Sequence, residues 1–328
     1  MIKKIEEQLK PSNLRAHALR GNEFYKGILD YRKKILPLHK SRIRARNAYM
    51  CWLCKEKKGD LFLTWEAGYE LLQCKKCEAV SANISTDDSH VDKVYNNEIY
   101  YDKFLREIDR NYAYRKEAHG RPRYSYIFER LNLNPKKTSL LDVGCGAGYF
   151  LDVLREKGIA SKGLEVNPAQ VRYNKEKGLN VESTRLEDEP DNAYDVITMF
   201  DVLEHLPDPV YLISVVAKKL KKGGYFLAYT PHIHSVGFEL MGAAQNTLLP
   251  FEHFCFYNQK SIDYLAKNSG LEVHSVETYG LDLMDYLLMK EYEDKIDYTE
   301  KLYPMMNLVQ AALDKMGISN HLRITLRK

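Results

Sequence analysis

From Ser139 onward, short apolar runs alternate with amphipathic stretches. "SLLDVG", "ASKGLEV", "LNVEST", "YDVITMF" and "GYFLAYT" read as five short buried strands. Between them, "AGYFLDVLREKG", "PAQVRYNKEKG" and "PDPVYLISVVAKKLKKG" carry apolar residues at helical spacing, and each closes on a glycine. This alternation predicts an α/β fold with a parallel sheet and helices on both faces. A further helix, "NQKSIDYLAKNSG", and a sixth strand, "LEVHSVETY", follow. A mostly helical insert over 284–318 then leads to a short terminal strand in "LRITLRK".

The first half reads differently. Residues 1–50 form a basic helical arm with a break near Pro11, and 51–90 hold paired cysteines. Residues 91–135 read as a polar, Tyr-rich linker with helical tendency, and 136–328 as the main domain.

Charged residues make up 29% and hydrophobic residues 45% of the 328, with a formal net charge of +4. That is ordinary globular composition, and the charge is too small to imply nucleic acid by itself. The arm, with "YRKKILPLHKSRIRAR", is either a solvated helical face or a surface for an acidic partner. No apolar run approaches the ~20 residues that span a bilayer. "MIKKIEEQLK" lacks the apolar core of a secretory signal. A cytoplasmic protein is therefore expected.

Cys51-x2-Cys54 and Cys74-x2-Cys77 are separated by nineteen residues. Two such knuckles predict a tetrahedral zinc site. Four thiolates fill the tetrahedron, so the expected role is structural. "LFLTWEAGYELLQ" between them reads as two strands of a zinc ribbon. A redox pair is the alternative, without a fitting strand-helix context.

In "LLDVGCGAGYF", Gly144, Gly146 and Gly148 follow a strand and open a helix. Glycines there let the backbone approach a ligand. The G-x-G-x-G spacing puts Tyr149 where a dinucleotide fingerprint needs its third glycine, which argues against a nicotinamide or flavin. The stretch resembles motif I of class I S-adenosylmethionine-dependent methyltransferases, and "KGLEVNP", "STRLEDE", "YDVITMFDVLEHLPDP" and "GGYFLAYTP" resemble that family's later segments. The resemblance implies an α/β Rossmann-like methyltransferase sheet of six parallel strands plus one antiparallel terminal strand. It implies cofactor contacts from Asp142, Gly144, Cys145, Gly146, Gly148, Glu165, Val166, Arg185, Leu186, Phe200 and Asp201, with Glu165 on the ribose hydroxyls. A zinc ribbon ahead of such a domain resembles a bacterial group acting on deoxysugars and surface polysaccharides, as does the segment "VYNNEIYYDKF".

"PFEHFCFY" closes a long loop after the fifth strand, on the side where open α/β sheets bind ligands. His253 is the candidate general base, with Glu252 beside it and His205 as a second candidate. His232 and His234 lie just past the fifth strand, and Tyr95, Tyr100 and Tyr101 read as packing residues, one of them able to cap the cofactor. In the resembling sugar C-methyltransferases a tyrosine stands two residues before the glutamate. Here that residue is Pro250, which favours O-methylation. The expected function is methyl transfer from S-adenosylmethionine to a small-molecule acceptor, foremost a sugar or saccharide hydroxyl. The alternatives are a zinc-containing RNA methyltransferase, C- or N-methylation of a deoxysugar, and a non-enzymatic scaffold. The chain lacks the Asn-Pro-Pro-aromatic motif of exocyclic-nitrogen methylation.

Overall fold

The computed structural model describes residues 9, 11–21, 23–86 and 111–328. Tyr95, Tyr100, Tyr101 and the "VYNNEIYYDKF" segment lie outside the described residues.

The seven strands of the main sheet are β4 (Ser139–Val143), β5 (Ala160–Leu164), β6 (Val181–Glu182), β7 (Tyr194–Phe200), β8 (Leu220–Pro231), β10 (Glu272–Tyr279) and β11 (His321–Arg327). Their spatial order is β10-β11-β8-β7-β4-β5-β6. β4, β5, β6, β7 and β8 pair in parallel, while β11 inserts antiparallel between β8 and β10. Six strands thus share one direction, and the terminal strand opposes them, as the methyltransferase resemblance implies. Leu140, Leu141, Val196, Ile197, Phe226 and Ile324 are fully buried between the helical layers, which is why these strands read as continuous apolar runs.

The helices Tyr149–Glu156 and Pro168–Glu176 end just before Gly158 and Gly178, both left-handed. The third helix differs from expectation. Pro209–Lys219 ends without a glycine because Leu220 is already extended and paired with Tyr194. β8 begins there, earlier than "GYFLAYT", and Gly223 turns the chain inside it.

A second sheet has the order β1-β2-β3-β9: β1 (Gly59–Thr64), β2 (Glu70–Cys74), β3 (Val80–Ala82) and β9 (Cys255–Phe256). Its first three strands belong to the cysteine-bearing segment. Its fourth comes from the loop after β8, through the pairs Val80↔Phe256 and Ser81↔Cys255. The helix Phe24–His39 packs over the same loop. Arg32, buried, donates to the carbonyls of Gln245 (2.7 Å) and Leu248 (3.4 Å), and Arg42 donates to that of Phe251 (2.8 Å). Two arginines of the basic arm therefore stitch the loop down, while Lys33, Lys34 and Lys40 face solvent. Asp282, fully buried at the start of the helix Asp282–Asp294, accepts from the backbone N–H groups of Gly237 (2.8 Å) in the loop after β8 and Asn320 (2.9 Å) just before β11.

Candidate active site

The glycine loop is shaped by three left-handed residues, Gly144, Gly146 and Gly148 (φ +73°, +56° and +74°). A side chain at Gly144 would meet Val202 Cγ2 at 2.4 Å, and one at Gly148 would meet Asn174 Oδ1 at 2.0 Å. At Gly146 the nearest atom is Gln170 Oε1, at 3.5 Å. Gly144 and Gly148 are thus closed in by protein, whereas Gly146 borders open space that a ligand can enter. The Glu165 carboxylate lies across the loop and accepts from Gly146 N–H (2.8 Å) and Asn167 N–H (2.9 Å). Burial pushes its pKa up, and those two N–H groups pull the other way. A carboxylate has about four acceptor positions, so acceptor capacity remains for a ribose hydroxyl.

Asp142 is buried at the end of β4 and accepts from the Thr198 hydroxyl at 2.7 Å. Burial raises its pKa to about 6. Cys145 is buried, and its N–H donates to the carbonyl of Leu164 (3.1 Å). Val166 is exposed beside Glu165, Leu186 is buried, and Arg185 projects into solvent with its guanidinium on Glu187. Phe200 packs edge-on against Phe150 and Tyr229, and Asp201 holds a left-handed backbone (φ +59°) directly after it.

A cavity of about 1050 Å³ opens at the carboxyl ends of β7 and β8. Tyr149, the residue after Gly148, and Asp201 line it, together with Tyr31, Glu204, His205, Glu252 and His253. His253 Nδ1 lies 2.6 Å from the carbonyl of Thr247, and His205 Nδ1 lies 3.1 Å from that of Glu252. The two rings meet edge to face at 4.6 Å. A ring nitrogen of each and a Glu204 oxygen all lie within 4.8 Å of one another. Burial lowers both imidazole pKa values, that of His205 to about 4 and that of His253 well below the usual range, with His205 adding to the shift at His253. Burial drives Glu204 the other way, and the Thr230 hydroxyl donates to it at 3.0 Å. This group can pass a proton, and the same donors suit a divalent cation. Glu252 is buried and accepts from the hydroxyl of Tyr31. His232 also lines the cavity, with Nδ1 3.0 Å from the carbonyl of Ser319, while His234 meets the edge of Phe62 instead.

The sulfurs of Cys51, Cys54, Cys74 and Cys77 lie within 4.8 Å of one another. Cys51 and Cys77 are 3.6 Å apart, and Cys54 and Cys74 3.4 Å. A disulfide needs about 2.05 Å. A zinc tetrahedron with Zn–S of about 2.3 Å has edges near 3.8 Å. The set therefore fits a four-thiolate metal site, with Lys76 N–H and the Ser81 hydroxyl aimed at two of the sulfurs.

Several residues that build this site carry no local sequence signal. Asn174 donates to the carbonyl of Gly146 at 2.7 Å from the next helix. Arg123 is buried on the helix over 111–130, between two wide π-type turns, Lys116–Gly120 and Tyr126–Arg130. Such turns break the ordinary helical register. Its guanidinium sits 4.1 Å over the Phe200 ring and donates to the Tyr149 hydroxyl at 3.3 Å. Tyr31 belongs to the basic arm. Only a three-dimensional structure joins these three to the loop.

The strand order and the glycine loop across its carboxyl end define a class I methyltransferase fold, and the family match and curated relatives agree. A model of the methyltransferase domain family matches residues 111–276, just over half of the chain. The ubiquinone biosynthesis O-methyltransferase of Saccharophagus degradans is 30% identical over 169 residues, which is 47% of this chain and 71% of that protein. That of Marinobacter nauticus is 32% identical over 171 residues, again 47% and 71%. A solved S-adenosylmethionine-dependent methyltransferase from Archaeoglobus fulgidus shares 21% identity, covering 66% of this chain and 99% of its own, with a TM-score of 0.44. The chain belongs to the methyltransferase domain family and is an S-adenosylmethionine-dependent methyltransferase. No helix among the described residues is long and apolar enough to cross a membrane.

Proposed function

We propose that the protein transfers a methyl group to a hydroxyl of a small-molecule acceptor, foremost a saccharide, with His253 as general base. The observation that carries this is the tautomer of His253. Its Nδ1 faces a carbonyl, which only accepts, so Nδ1 bears the proton and Nε2 keeps its lone pair. Burial keeps the ring neutral. The mixed aromatic and polar lining, with Tyr31, Tyr149, Tyr229 and Tyr279, suits a sugar.

In this reading the cofactor lies over Gly146, with its ribose on Glu165 and its adenine by Val166, Arg185 and Leu186. Its methyl-bearing end points past Phe200 and Asp201 into the cavity. Asp142 and Cys145 hold the loop from beneath. Arg123 supplies a cation beside the start of the Tyr149–Glu156 helix, where the carboxylate of the cofactor's amino-acid part would sit. The sulfonium activates the methyl group when bound; the chain orients the acceptor and takes its proton. Cys51, Cys54, Cys74 and Cys77 hold a structural zinc. The domain pattern is arm 1–50, ribbon 51–90, linker 91–135 and catalytic domain 136–328 with the insert 284–318. A cytoplasmic enzyme acting on a saccharide precursor is consistent with these features.

A phenolic hydroxyl is the second reading. A base with a depressed pKa suits a more acidic acceptor, and a phenol ionises near ~10, as tyrosine does. The names of the relatives point the same way. Pro250 disfavours C-methylation, yet Tyr31 brings a tyrosine hydroxyl to Glu252 from another part of the chain. Label from methyl-tritiated cofactor should be followed into nucleotide-sugars, surface glycans and catechols. A sugar methyl ether is the expected product. Label in catechols alone establishes the second reading, and label on sugar carbon overturns O-methylation.

A further inference from the structure

The ribbon touches the acceptor loop with its metal-binding turns. Trp52, between Cys51 and Cys54, stacks on Phe254 with ring centroids 4.9 Å apart and planes 26° from parallel. Phe254 directly follows His253, and its backbone is held from both sides. Its N–H donates to the carbonyl of Glu204 (2.8 Å), and its own carbonyl accepts from Ala82 N–H of β3 (3.0 Å). Lys55, one residue past Cys54, donates to the carbonyl of Pro207 at 3.0 Å. Glu78, one residue past Cys77, accepts at its carbonyl from the Asn258 side chain at 3.0 Å. Trp65 donates to the carbonyl of Ala243 at 2.9 Å. The ribbon thus grips the strand that follows His253, and through Phe254 it reaches the turn that carries Glu204 and His205.

We infer that the four-cysteine site is a metal-dependent clasp that positions the His205–His253 pair, with Trp52 as the positioning residue between metal and loop. A two-residue strand such as β9 does not hold its own register; it depends on a rigid partner edge. β3 is that edge, and it hangs from Cys77. A structural metal supplies most of the order of so small a unit. Release of the metal frees Trp52 and β3, and with them the segment carrying His253, while the glycine loop stays formed on the main sheet. The inference rests on reading 247–257 as the acceptor loop, but its test does not require the acceptor.

The test is hydrogen exchange on the full chain before and after zinc is withdrawn by a chelator, with S-adenosylhomocysteine binding measured in parallel. Exchange in 80–82 and 247–257 should accelerate together by at least tenfold. Exchange in β4 and β7 should be unchanged, and affinity for S-adenosylhomocysteine should stay within threefold. Trp52→Leu, with all four cysteines intact and zinc retained, should loosen 247–257 in the same way, and Trp52→Phe should restore it. Unchanged exchange in 247–257 after zinc release overturns the clasp. So does loosening that spreads to β4, or equal behaviour of the Leu and Phe variants. Absence of any S-adenosylhomocysteine binding would instead contradict the cofactor reading and leave the exchange result to decide the clasp.

Discussion

His253 Nδ1 stands 2.6 Å from the carbonyl oxygen of Thr247, six residues earlier in the same loop. This contact fixes the ring's tautomer and aims its basic nitrogen. If His253 takes the acceptor's proton, His253→Ala keeps cofactor affinity and lowers turnover by about 10²–10⁴-fold, the usual contribution of a positioned base. Turnover against calorimetric affinity separates the two effects. Because burial and His205 depress the pKa of His253, the rate should be flat through neutral pH and fall only at acid pH, below the usual histidine range.

The same burial makes the fold acid-sensitive. A histidine with a lowered folded pKa binds protons more readily when unfolded, so its contribution to stability is full above the unfolded value and is lost as pH falls through it. For His205 that window runs from 6.5 down to about 4. The depression is worth on the order of 3 kcal/mol. Urea midpoints should fall between pH 7 and pH 4, and His205→Gln should flatten that fall.

Gly146 and Gly148 separate binding from folding. An alanine at 148 is driven into Asn174 Oδ1 at 2.0 Å, whereas one at 146 meets nothing closer than 3.5 Å. Both bear the left-handed backbone cost of about 1–2 kcal/mol. Thermal unfolding should show Gly148→Ala clearly less stable than Gly146→Ala. Cofactor affinity should nevertheless collapse in Gly146→Ala, because its methyl group occupies the space given to the ligand.

Tyr31→Phe removes the hydroxyl that Glu252 accepts from. A buried group losing a hydrogen-bond partner costs about 1–3 kcal/mol. Thermal midpoints should fall by a few degrees. If Glu252 faces the acceptor, KM for the acceptor should rise while S-adenosylhomocysteine affinity stays constant.

β4, β7 and the second half of β8 were legible because each is a mostly apolar local run, and the glycine loop because its spacing is contiguous. The cysteine knuckles were legible for the same reason. β9 was not, since two residues, Cys255 and Phe256, carry no periodicity and are extended only because β3 lies beside them. Arg32 and Arg42 read as surface charge because composition does not show which carbonyls surround a guanidinium. Asn174 and Arg123 are single polar residues on helices, and their importance comes from contacts with Gly146 and Phe200 that no local window contains.

The central claim is that of the proposed function: the methyl donor lies over Gly146 with its ribose on Glu165, whose carboxylate already accepts from Gly146 N–H. Calorimetric titration of S-adenosylhomocysteine into wild type, His253→Ala and Glu165→Ala tests it most directly. The carboxylate of Glu165 is assigned charge-assisted hydrogen bonding to the ribose, each bond worth about 1.5–3 kcal/mol. Wild type and His253→Ala should bind alike, and Glu165→Ala at least tenfold more weakly. Failure of wild type to bind, or equal binding by Glu165→Ala, would contradict the account.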